Sequence, residues 1–149
     1  MPKQRKKRAP RVAVVAADFN ASIVEAMLAA AASEVRAQGA SLVGDPIRVH
    51  GSYETPLVAS RLLARRDVDA VVVLGYIERG DTQHGEVMGH VVHAALVNLS
   101  IEHGKPVGLA LIGPGATLEQ AEQRKDPYAR AAVGAALRAL HAVVLTRSR

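Results

Sequence analysis

Four short apolar runs recur along the chain, and each is followed by a stretch with helical spacing. Residues 11–16 (Arg-Val-Ala-Val-Val-Ala) and 68–74 (Val-Asp-Ala-Val-Val-Val-Leu) are rich in β-branched and small apolar residues, which suits strands buried on both faces. Residues 107–112 predict another such strand, and residues 41–50 predict one that is irregular at Pro46 and therefore near an edge. After the first run, Ser22 and Glu25 predict a capping box, Ile23, Met27, Ala30, Ala31 and Val35 carry a helical face, and Gly39 stops it. Leu57, Ala59, Leu62 and Leu63 repeat the pattern behind Pro56, up to Arg65-Arg66-Asp67. Residues 85–103 predict a third helix with Val87, Val91, Ala94, Ala95 and Leu99 as its stripe, closed by Gly104 and Pro106. Thr117 with Gln120 predicts a capping box, and residues 127–144 an amphipathic helix kinked at Pro127 or separated there from its predecessor.

The strictly alternating order predicts a parallel sheet of four strands with helices on both faces, in one domain over residues 11–149 behind an arm of residues 1–10. In such a sheet the loops at Phe19, Ser52, Gly80 and Gly113 share the rim at the carboxyl ends of the strands, the usual place for a ligand.

Composition sharpens this picture at two points. Only four residues are aromatic, Phe19, Tyr53, Tyr76 and Tyr128, so an aromatic in a loop asks for an explanation. The net charge of +5 is uneven. Six of the 19 basic residues lie within the first eleven positions, and the other 13 meet 14 acids, leaving the body with one net negative charge. A basic arm over residues 1–11 fits either a solvated terminus or a contact with nucleic acid or acidic cargo. No aromatics alternate with its bases, so base stacking has no support. The absence of cysteine excludes disulfides, thiolate catalysis and cysteine–zinc sites. No apolar segment reaches about 18 residues without a charge, so no membrane span is expected, and the expected location is the cytoplasm.

The rim loops hold the candidate chemistry. Gly80-Asp81-Thr82 precedes a helix start, where free N–H groups and a hydroxyl make either an anion site or a plain N-cap. His84 is either a general acid/base or an exposed polar residue. Arg124 and Arg130 suit a phosphate or a surface ion pair. Phe19 and Tyr53 suit a flat heterocycle or local packing. His90 and His93 stand three apart, but no third ligand follows at useful spacing, so the metal assignment is none. The glycines match neither a Walker loop nor a dinucleotide fingerprint.

Taken in order, Phe19-Asn20, Gly51-Ser52-Tyr53-Glu54-Thr55-Pro56, Arg79-Gly80-Asp81-Thr82-Gln83-His84 and Thr117-Leu118-Glu119-Gln120-Ala121 with Arg124 resemble the lumazine synthase family over about residues 11–140. The resemblance implies a flavodoxin-like three-layer αβα sandwich. It implies condensation of a ribitylaminopyrimidinedione with 3,4-dihydroxy-2-butanone 4-phosphate, the penultimate step of riboflavin synthesis, with no metal or redox cofactor. His84 would shuttle protons. Gly80, Asp81, Thr82 and Arg124 would cradle phosphate. Phe19 with Asn20 would meet the pyrimidine, and Ser52, Tyr53, Glu54, Tyr76, Ile77, Glu78 and Leu109 would hold ring edges and ribityl chain. The resemblance also implies a homopentamer with sites between subunits, and leaves a decamer or a sixty-subunit shell open. The sequence departs from the family pattern at His50, Tyr76, Glu78, Gly85, Leu109 and Gly113-Pro114-Gly115. A non-catalytic shell, or an assembly that binds flavin-related ligands or nucleic acid, is the alternative from another class; intact His84 and Arg124 favour the enzyme.

Overall fold

The computed structural model describes residues 7–147. Its elements are β1 (Arg11–Ala17), α1 (Ala21–Ala37), β2 (Ser41–Leu42), β3 (Ile47–Val49), a 3-10 turn (Ser52–Glu54), α2 (Thr55–Leu63), β4 (Ala70–Glu78), α3 (His84–His103), β5 (Val107–Ala116) and α4 (Leu118–Leu145). All strand pairs are parallel. The order is β2-β1-β4-β5, with β3 also paired to β1. This is the flavodoxin-like arrangement, in which the chain reverses direction beside β1.

The sheet has five strands rather than four. Residues 41–50 form two short strands on the same edge of β1, because Gly44, with φ 63°, and Pro46 interrupt the ladder between them. The central strands behave as their composition predicts. Val12, Val14 and Ala16 of β1 and Val72, Leu74 and Tyr76 of β4 face α1 and α4. Ala13, Val15, Val71 and Val73 face α2 and α3. Both faces are covered, and each buried Val or Leu contributes about 1.5–3 kcal/mol.

Several local expectations are corrected. Ser22 and Glu25 form no capping box. Asn20 precedes the helix in the left-handed conformation with φ 59°, its carbonyl takes the N–H groups of Ile23 and Val24, and Glu25 pairs with Arg48 instead. The stripe expected on α3 meets the core only in part, through Leu99. Val87 and Val91 are exposed, while Gly89, Val92 and Leu96 are buried. This helix is apolar nearly all round, so periodicity does not reveal which side meets the sheet. β4 and β5 run on past residues 74 and 112. Gly75 pairs with Leu111, Tyr76 with Ile112 and, after an irregularity, Glu78 with Ala116. Tyr76 is therefore a strand residue, and Gly113-Pro114-Gly115 lies within β5 rather than in a turn.

α4 is one continuous helix through Pro127. Both Pro127 and Gln123 are exposed, so the carbonyl that proline leaves without a donor faces water. The Thr117–Gln120 capping box forms as expected, with bonds of 3.0 and 3.2 Å. By length and composition α4 is apolar enough to cross a membrane, although it carries charges such as Arg130 and Arg138 and so is not an uncharged apolar segment. Here it is a packed helix, with Ala121, Ala129, Ala132, Val133 and Ala136 buried against the sheet and α1. Residues 1–6 of the basic arm lie outside the described residues. Arg8 is tied to Asp69 at 3.1 Å.

Candidate active site

The carboxyl ends of β1, β3 and β4 open onto a cavity of about 470 Å³. Phe19 comes from the β1–α1 loop. His50, Gly51, Ser52, Tyr53 and Glu54 come from the β3–α2 connection. Tyr76, Ile77 and Glu78 end β4, Arg79, Gly80 and Thr82 follow it, and His84, Gly85 and Met88 open α3. Three segments far apart in sequence meet here because parallel strands deliver all their outgoing loops to one rim.

The walls are held by local bonds. Gly51 N–H donates to the Glu54 carboxylate at 3.0 Å, and Thr55 Oγ1 donates to the Ser52 carbonyl at 2.7 Å, fixing the 3-10 turn that presents Tyr53. Thr82 Oγ1 accepts the His84 N–H at 3.3 Å at the start of α3. The Tyr53 and His84 rings face each other at 6.1 Å with a tilt of 59°. Asn20 Nδ2 reaches toward Glu78 at 3.5 Å, linking the first and third walls. Gly85 is closely packed: a Cβ there would stand 3.3 Å from an Ile77 methyl and 3.4 Å from the Glu78 carbonyl, so α3 starts directly on the end of β4.

Phe19 and Tyr53 are about half exposed, at 54% and 43%. Rings left in that state on a cavity wall offer stacking faces. Tyr76 is different. It is 2% exposed, and its hydroxyl donates to the Ala116 carbonyl at 2.9 Å. Burial, with Glu78 adding to it, raises its pKa above the ordinary value of 10. That hydroxyl serves the fold rather than a ligand.

Four of the expected site residues do not line this cavity. Asn20 stands behind its rim. Asp81 lines an adjoining hollow of about 300 Å³ with Arg79, Gly80 and Thr82. Leu109 lies in β5 and faces a separate groove of about 520 Å³ together with Tyr128 and the alanines of α4. Arg124 sits on α4, where its Nη1 donates to the Gln120 carbonyl at 3.3 Å. Among the described residues no carboxylate pairs with Arg124, whereas Arg130 is taken up by Asp126 and Glu34. Arg130 thus has the surface ion-pair role. His93 Nδ1 lies 2.6 Å from the Gly89 carbonyl oxygen.

His50, Gly51, Arg79, Gly85 and Met88 line the cavity without having been singled out as site residues. Arg79 opens the Arg79–His84 motif and Met88 lies one turn beyond His84, so both signals were within reach.

The profile of the 6,7-dimethyl-8-ribityllumazine synthase family matches residues 9–147. The chain belongs to that family. Proteins named 6,7-dimethyl-8-ribityllumazine synthase from Aeropyrum pernix and Staphylothermus marinus are similar to it. The first is 45% identical over 131 residues, covering 86% of this chain and 87% of the relative. The second is 43% identical over 125 residues, covering 84% and 83%. A relative of the same name from Metallosphaera sedula is 41% identical over 128 residues, covering 86% and 84%. The lumazine synthase match begins just before β1 and ends just past α4, so it takes in the sheet and every wall of the cavity.

Proposed function

We infer that the cavity bounded by Phe19, Tyr53 and His84 is where this lumazine synthase condenses 5-amino-6-ribitylaminopyrimidinedione with 3,4-dihydroxy-2-butanone 4-phosphate. The products are 6,7-dimethyl-8-ribityllumazine, phosphate and water. The observation that carries the assignment of the site is the meeting of an exposed aromatic face, an imidazole and a glycine–threonine helix start in one cavity of about 470 Å³.

The reaction makes an imine, eliminates phosphate and closes a ring, and each step moves protons. The His84 imidazole at the cavity edge is the group suited to carry them near neutral pH. The pyrimidine stacks on Phe19, and its ribityl chain runs toward Ser52, Tyr53 and Glu54. Phosphate sits at Gly80–Thr82, by the N-terminus of α3, where backbone N–H groups and the helix dipole favour an anion. Orientation of two reactants supplies much of the acceleration, so one proton carrier suffices.

Within a single chain Arg124 does not line the cavity or the hollow beside Gly80–Thr82. Leu109 also lies away from the cavity, in a separate groove lined largely by apolar residues. Val87, Val91, Val97 and Ile101 leave an exposed apolar face on α3, and the β5 edge with α4 leaves the groove holding Leu109. These faces support a homo-oligomer in which a neighbouring copy brings Arg124 and Leu109 to the cavity; five subunits is the number the family implies.

The test is complementation. Arg124→Ala should raise KM for the butanone phosphate about tenfold, the loss of one charge-assisted pair. His84→Ala should lower turnover. Co-assembling the two variants should restore activity above either alone, because some sites then pair an intact His84 with an intact Arg124 from next door. Co-assembled variants no more active than their average would place both residues in one chain and overturn the shared site.

A further inference from the structure

The β1–α1 loop carries the stacking ring, yet Phe19 itself has little packing to hold it, being 54% exposed. Its neighbours are fixed instead. Asp18 N–H donates to the Val49 carbonyl at 2.8 Å, and the Asn20 carbonyl closes the first turn of α1. One further group acts on the loop from outside. Arg48, on β3, donates through Nε to Asp18 Oδ1 at 2.7 Å and pairs through Nη1 with Glu25 of α1 at 2.5 Å. The guanidinium thus holds the residue before Phe19 and the helix after it at the same time. Two residues beyond Arg48 the chain leaves β3 and enters the opposite wall, His50 to Glu54.

We propose that Arg48 is a positioning residue for the pyrimidine substrate: its fork sets the spacing between the wall that carries Phe19 and the wall that carries Tyr53. This rests on the reading of Phe19 as the stacking face. A planar fork is required, because two carboxylates in different directions are met by two nitrogens of fixed geometry; a lysine offers one ammonium and loses one partner. The side chains of Arg48, Asp18 and Glu25 are 36%, 44% and 60% exposed, so these pairs add little to global stability. What they limit is the motion of a loop that contact with the core does not hold.

The experiment is steady-state kinetics on Arg48→Gln, Arg48→Lys, Asp18→Asn and the double variant Arg48→Gln/Asp18→Asn, with Phe19→Ala alongside and thermal melting of each. The expected result for Arg48→Gln is a rise of about tenfold in KM for the pyrimidinedione, a displacement-sized effect. KM for the butanone phosphate and the melting temperature should stay at the parent values. Arg48→Lys should recover little of this, and the double variant should be no worse than Arg48→Gln, since both changes cut the same tie. Equal rises in both KM values, a large fall in melting temperature, full rescue by lysine, or an unchanged pyrimidinedione KM would each overturn the proposal. If Phe19→Ala leaves the pyrimidinedione KM unchanged, the stacking assignment fails. If Phe19→Ala raises it and Arg48→Gln does not, only the positioning role fails.

Discussion

At the amino ends of the strands, polar side chains are occupied by the fold. Asp69 accepts from Arg8 at 3.1 Å and from the Arg11 N–H at 2.8 Å. Lys105 donates to the carbonyls of Leu63 and Arg65 at 2.9 and 2.8 Å, closing the C-terminus of α2. Arg65 grips Asp67 with two bonds, which raises the pKa of the arginine and lowers that of the carboxyl. At the carboxyl ends the pattern reverses. Phe19 and Tyr53 stand half exposed, and among the described residues Arg79 and Arg124 pair with no carboxylate. Of the polar bonds at that rim, those at Asp18 and Thr55 tie loop and backbone, while Gly51 N–H holds the Glu54 carboxylate at the cavity wall. One rim is bonded internally, while the other keeps its chemistry available and pays for it with loops held by their neighbours.

The sharpest way to break this comparison is His84→Ala. Turnover should fall about tenfold or more, toward the lower end for a general acid/base because orientation carries much of the rate, with no change in melting temperature. A variant with parent turnover would remove the imidazole from the mechanism. Tyr76→Phe tests the one group that lines the site yet serves the fold. It should cost about 1 kcal/mol in stability and leave KM values alone, since the Ala116 carbonyl keeps the Arg79 N–H at 2.9 Å as a second partner. The sign of its pH effect follows from the raised pKa. The neutral phenol contributes fully below about pH 10, and the contribution is lost as pH climbs toward the folded value, because the unfolded chain ionises first. Alkaline denaturation curves should therefore be flatter above about pH 10 in the phenylalanine variant. Lys105→Met should have the smallest effect, about 1 kcal/mol or less in chemical denaturation with kinetics untouched, because water reaches one of the freed carbonyls. A kinetic defect there would show that the two rims are coupled.

Much of the fold was legible in the sequence, and the parts that were not share a physical cause. The runs at 11–16 and 68–74 could only be buried strands, and Thr117 with Gln120 could announce α4, because each signal is complete within a few residues. α3 hid its inward face because Val87 and Val91 are as apolar as Val92 and Leu96, and only the sheet distinguishes them. Ser22 and Glu25 spell a capping box, but Arg48 competes for Glu25 from a strand more than twenty residues away. At the candidate site, Phe19, Ser52–Glu54, Gly80, Thr82 and His84 from the ordered motifs line one cavity, while Asp81 and Asn20 do not. His50 was visible only as a departure from the family pattern; that it faces the cavity is a property of the folded rim.

The sequence by itself determined the alternation of strand and helix, the rim on which the loops gather and the family to which the chain belongs, since these depend on local composition and on motifs in order. The tertiary structure decided which faces are buried, that Tyr76 belongs to the core, that Arg48 joins two walls, and that Arg124 and Leu109 lie outside the cavity of their own chain. Those outcomes depend on which distant segment arrives at a given place, and hydrophobic periodicity records that a face must be covered without recording by what.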